Sequence, residues 1–171
     1  MKNALYIMVV SGMLLITPGC NKDKLTKATQ QGKNTFSCKI NGRIFKPLHV
    51  GGLFSGTPNV LSARNNEQYD FGVHAVNQET DESIGLENPY ITSTGVYPLH
   101  ADNPNRGVCE IRRGTPGWYV TDSLYVGELT ITRCDNVNRI YSGTLFFTAR
   151  DPNTGATIKV TDGRFDVKGI E

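Results

Sequence analysis

What this chain lacks narrows it first. It has no surplus of charge: 18 Lys+Arg stand against 16 Asp+Glu, a formal net charge of +2. Nucleic-acid binding calls for a clustered basic face, so no nucleic acid is expected as a partner. No apolar run approaches the ~20 residues of an ordinary membrane span; the longest, Ala4 to Ile16, has about thirteen. There is no Cys-x-x-Cys spacing, which leaves zinc and thioredoxin-type chemistry little support. Walker loop, dinucleotide fingerprint and Ser-x-x-Lys are also missing. Beyond residue 20 no segment keeps a helical period. Tryptophan occurs once, at Trp118.

What is present begins with Lys2, the run Ala4 to Ile16, and then Thr17-Pro18-Gly19-Cys20. A positive start, 7–15 apolar residues and a small residue at the cut form an export signal. The residues before Cys20 resemble a bacterial lipobox, so residues 1–19 are expected as a signal peptide and Cys20 as the site of lipid attachment. Each buried methylene of such a lipid contributes ~0.8 kcal/mol, which makes the membrane a partner through the anchor alone. The expected location is the cell envelope, as an outer-membrane lipoprotein on the periplasmic face or the cell surface. Residues 20–33 are polar and read as the lipidated cysteine and a flexible tether; thirteen residues reach at most ~45 Å. Without Lys2 the basic count falls from 18 to 17, against 16 acidic residues.

Residues 34–171 read as a single antiparallel β domain. Phe36, Cys38 and Ile40 alternate with Ser37 and Lys39, and Asn41-Gly42 then supplies a hairpin turn to Arg43-Ile44-Phe45. Val60 to Arg64 and Tyr69 to Val76 form a second expected hairpin, with Tyr69, Phe71, Val73 and Ala75 on one face and His74 on the other. Weaker strands are expected at Ser83 to Leu86 and Gly95 to Leu99. Trp118 to Val126, Glu128 to Arg133, Arg139 to Ala149, Ala156 to Thr161 and Arg164 to Val167 follow, most simply as a meander. Asp162-Gly163 is expected as a tight turn, and Gly143 as a position for a bulge or close packing. The architecture expected is all-β: an antiparallel β-sandwich or small β-barrel.

Three segments carry a family resemblance: Ala28 to Ile40-Asn41-Gly42; Gly127 to Arg133 with Ile140 to Phe147; and Ile158 to Val167. Together they resemble a domain-of-unknown-function family of Bacteroidetes lipoproteins. The resemblance covers both ends of the domain, and Leu48 to Tyr125 more loosely. It implies an envelope lipoprotein with a β fold and brings no catalytic residues. Cys134 stands where that family has an apolar residue.

Candidate chemistry is sparse. With Cys20 committed to lipid, Cys38, Cys109 and Cys134 remain, an odd number; Cys109 and Cys134, in candidate neighbouring strands, are the expected disulfide, with three buried thiols as the alternative. His49, His74 and His100 are far apart, and no metal or other cofactor is expected. Asp151, Asn153 and Gly155 fit either the start of a calcium loop or a plain turn; Asp102, Asn103 and Asn105 make a second oxygen-rich loop. Gly52 to Gly56 lacks the serine position of a nucleophile elbow. Asp81-Glu82 falls in a polar loop where solvation is the default. The best binding patch is Arg112, Arg113, Trp118 and Tyr119, since exposed aromatics beside arginine stack on sugars or anchor proteins; a lone tryptophan also suits a core. These residues suggest a non-enzymatic binding or scaffolding module for a glycan or envelope protein. A lipid-anchored hydrolase or glycan-processing accessory is the competing reading.

Overall fold

Asn41 and Gly42 both hold positive φ, 48° and 84°, so this two-residue turn carries the twist a hairpin needs. It joins β1 (Thr35–Ile40) to β2 (Arg43–Phe45), with Cys38 opposite Phe45 and Ile40 opposite Arg43. The second expected hairpin forms too, from β3 (Leu61–Asn66) and β4 (Asp70–Asn77). The computed structural model describes residues 24–51, 59–67, 70–100, 106–112, 114 and 116–169.

The remaining strands are β5 (Glu82–Asn88), β6 (Gly95–Leu99), β7 (Arg106–Ile111), β8 (Gly117–Val120), β9 (Gly127–Asp135), β10 (Ile140–Arg150) and β11 (Thr157–Lys168). They make one sheet in the order β2-β1-β11-β10-β8-β7-β5-β4-β3, with β9 paired to both β10 and β6. Every pairing between these strands is antiparallel, and no helix occurs among the described residues. The all-β antiparallel expectation therefore holds. The layering is a single sheet curled into a half-barrel. Its curl brings Phe71 of β4 against Tyr141 of β10 and Phe165 of β11, at ring-centroid distances of 5.9 and 6.4 Å. Burial of such aromatic and aliphatic faces, at ~25 cal/mol per Å², is the main force holding the curl.

Three local expectations change. The strand expected over Trp118 to Val126 stops at Val120, where the side chain of Asp122 accepts bonds from the amides of Leu124 and Tyr125 and turns the chain. β8 then pairs with β7 and with the end of β10 instead of with β9, so the meander is confined to β9-β10-β11. Asp162-Gly163 does not reverse the chain: β11 runs through it, and the positive φ of Asp162 (53°) makes a bulge opposite Phe146.

The tether also shortens. From Thr26 to Lys33 the chain is strapped to the domain, with the amide and hydroxyl of Thr26 on Ser37. Arg164 donates to the Thr26 carbonyl. The anchor of the strap is Asp166 of β11, 1% exposed, which accepts from the Thr29 hydroxyl at 2.5 Å and from the amides of Gln31, Gly32 and Lys33 at 3.0, 2.7 and 3.3 Å.

Candidate functional site

Successive side chains on a strand face opposite ways, so the core residues define what the other face presents. Val73 and Ala75 point inward and His74 outward; Ile84 and Leu86 point inward, and Ser83, Gly85 and Glu87 outward. Cys109 and Tyr119 are inward, which turns Val108, Glu110 and Trp118 outward. Register then lines these residues up in rows. Arg64, Gly72, Glu87 and Arg106 form one row, His74, Gly85 and Val108 the next, and Ser83, Glu110 and Trp118 a third.

Two glycines shape this surface differently. A Cβ on Gly72 would lie 2.8 Å from the Arg64 guanidinium carbon, so the arginine fills that space itself. A Cβ on Gly85 would meet only Val108 at 3.7 Å and His74 at 3.9 Å. Gly85 is thus the floor of a hollow of about 260 Å³, walled by Arg64, His74, Glu87, Arg106, Val108 and Trp118. On the far side of Trp118 lies a second, more open hollow of about 530 Å³, bounded by Arg112, Pro116, Asp151, Asn153 and Thr154. Trp118 is 44% exposed and forms a wall of both.

Charges around the ring are matched. Glu87 takes Arg106 at 2.5 Å and Arg64 at 3.8 Å. Arg112 grips Glu110 with two bonds, of 3.0 and 2.9 Å. The backbone bond from Asn153, with those from Thr154 and Trp118, outweighs burial and holds the Asp151 carboxyl below the usual range. Partial burial lowers the pKa of His74; Glu110 opposes this, while Arg112 and Arg64 reinforce it. His74 is therefore a neutral donor and acceptor at pH 7.

No known protein family, curated protein or solved structure matches this chain.

Of the expected patch, Trp118 and Arg112 lie on this surface. Tyr119 does not: it is 6% exposed and belongs to the core, because it follows Trp118 on a strand and must face the other way. Arg113 and Cys20 lie outside the described residues, as do Asp102, Asn103, Asn105 and the Gly52 to Gly56 segment. Cys38, Cys109 and Cys134 are free thiols. Cys109 and Cys134 are not on neighbouring strands, since β7 lies between β5 and β8 while β9 lies between β10 and β6. Burial, then the Glu82 carboxylate, pushes the Cys109 thiol up to about 12, leaving it unreactive at neutral pH. Glu82 is not solvated either: it is 6% exposed, begins β5 and is bound by Arg43 and by the Thr80 hydroxyl at 2.7 Å. Oδ1 of Asp151 accepts from the amides of both Asn153 and Thr154, as in the plain-turn alternative.

Sequence reasoning misses Arg64, His74, Gly85, Glu87 and Arg106 as residues of this surface. The outward phase of β4 and β5 is the available signal for His74, Gly85 and Glu87; the meeting of five strands leaves none.

Proposed function

We propose that the protein is a cell-envelope lipoprotein, held to the outer membrane by lipid on Cys20, that acts as a non-enzymatic binding module through the surface around Trp118. The carrying observation is the half-exposed indole standing between two hollows. Left in water, that ring costs the fold buried apolar area; a ligand that covers it recovers the area. The place in the envelope rests on the signal-like residues 1–19 and on Cys20. The hydrolase reading has less support at this surface, because the half-buried carboxylates of the hollow are already in ion pairs, Glu87 with Arg106 and Glu110 with Arg112.

Trp118 is the only tryptophan in the chain, so its fluorescence reports this site directly. Envelope glycan fractions or envelope proteins added to the full-length protein are expected to shift and quench that emission, and Trp118→Ala is expected to lose the retention seen by pull-down. Emission unchanged by every fraction would overturn the binding reading, and hydrolysis of any fraction, lost on a point substitution, would replace it with the enzyme. Anchoring is tested separately: labelled palmitate should enter the protein, and Cys20→Ala should abolish the label. Label retained in that variant would refute the lipid site.

A further inference from the structure

The geometry around Trp118 narrows the chemistry of the ligand, an inference that rests on the binding reading. Protein partners are gripped by several clustered apolar anchors, over roughly 800 Å² a side. This surface offers one aromatic ring; Val108, Ile111 and Pro116 lie beside it, and arginine, histidine, glutamate, asparagine and threonine supply its polar groups. That is the complement of a sugar ring, whose C–H face is apolar and whose edge is hydroxyl. The ring of Trp118 takes the face, and the planar donors and acceptors beside it take the edge.

Two further observations set charge and length. Among the described residues around the hollows, Arg64, Arg106 and Arg112 are balanced by Glu87, Glu110 and Asp151, and each arginine of these is already paired to a carboxylate, with Arg64 and Arg106 sharing Glu87. A charged ligand would have to break one of these pairs, while a neutral one need not. The ring also has space on both sides. The smaller hollow exists because Gly85 carries no side chain, and the larger opens beyond Trp118 toward the Asp151–Thr154 turn. A single sugar on the indole would leave both hollows to water.

We infer that the ligand is a neutral, linear oligosaccharide that crosses Trp118, with one sugar unit stacked on the indole and its neighbours seated in the Gly85 hollow and in the Asn153 hollow. His74 and the outward-facing donors of Arg106 hydrogen-bond the hydroxyls on the first side, and Asn153 and Thr154 those on the second.

The test is a fluorescence titration of the full-length protein in detergent micelles. The probes are unsubstituted β-1,4-linked glucose, β-1,4-linked N-acetylglucosamine and α-1,4-linked glucose, each from the single sugar to the hexamer. In at least one series the affinity is expected to rise about tenfold or more from the single sugar to the tetramer, roughly 1.4 kcal/mol. Gly85→Leu fills the first hollow without backbone strain, and Asn153→Phe fills the second while keeping the amide that bonds Asp151. Each should remove part of the tetramer's gain, the two together should bring the tetramer back to the affinity of the single sugar, and the melting temperature should stay unchanged. Binding should also be unaffected by salt between about 0.05 and 0.5 M. A single sugar that binds as tightly as the tetramer, or a tetramer indifferent to both variants, overturns the extended site. Salt-sensitive binding overturns neutrality. No response in any series overturns the saccharide, and if an envelope protein then quenches Trp118, the binding reading survives without it.

Discussion

Gly143→Ala is expected to destabilise the protein by about 3 kcal/mol, lowering the melting temperature by about 10 °C. The Cβ it adds would sit 2.1 Å from the backbone carbonyl oxygen of Thr130 and 2.9 Å from the Phe165 ring. Neither neighbour can move away cheaply. Thr130 is in the middle of β9, paired on one side to Thr144 and on the other to Val96. Phe165 lies opposite Gly143 on β11 and is buried against Phe71. The crowding comes from a bulge: Ser142 faces Arg133 and Gly143 faces Ile131, so Thr132 is the unpaired extra residue, its hydroxyl donating to the Ser142 carbonyl at 3.1 Å. Gly42→Ala is the matched control. Nothing lies within 4 Å of its Cβ, and only its φ of +84° opposes the substitution, a cost of ~1–2 kcal/mol. Thermal unfolding followed by far-UV circular dichroism compares the two. If Gly143→Ala melts no lower than Gly42→Ala, the close approach is not what the geometry says it is.

That glycine and the Asn41-Gly42 turn could be read from the sequence, because each imposes a requirement on the residue itself: no side chain, or positive φ. The first strand pairings were legible for the same reason. The partner of β8 was not, since pairing between strands distant in the chain leaves no local trace; contact with β7 and β10 is decided by how the sheet curls. Trp118 and Tyr119 show the opposite case. Neighbours on a strand cannot share a face, so a patch containing both was already excluded by the strand they were assigned to. Glu82 misled because a charged residue beside a turn is usually wet, and only the curl brings Arg43 to it. The site around Trp118 draws on β3, β4, β5, β7, β8 and the turn after β10, and no spacing encodes a surface assembled that way. The strap at Thr26–Lys33 was hidden for another reason. Its bonds to Asp166 are mostly backbone amides, which every sequence possesses.

Removing that anchor should have the second large effect. Asp166→Ala is expected to cost about 3 kcal/mol, because the buried Ser142 hydroxyl and the amides of Gln31 and Gly32 lose a charged acceptor. The same bonds give stability a pH dependence of definite sign. Burial alone would raise the pKa of Asp166; the bonds from Thr29, Gln31, Gly32 and Ser142 outweigh it and hold the group at about 2. A depressed carboxyl contributes its full stability above its unfolded pKa, near 3.9, and loses it as pH falls through that value toward 2. The wild type should therefore lose about 2 kcal/mol across that window. Asp166→Asn, which has no proton to take up, should start lower and lose correspondingly less. Hydrogen exchange then separates strap from core: in both variants the amides of Gln31 and Gly32 should exchange faster while those of β10 away from Ser142 keep their protection. Unchanged exchange at Gln31 and Gly32 would show that Asp166 does not hold the strap. The consequence reaches the membrane if Cys20 carries lipid. From Cys20 to Thr26 an extended chain reaches ~20 Å, against ~45 Å from Cys20 to Lys33. The longer reach requires release of the whole strap, Thr26 from Ser37 and Arg164 as well as Thr29 to Lys33 from Asp166, so Asp166 substitution alone should leave the first attachment at Thr26 in place.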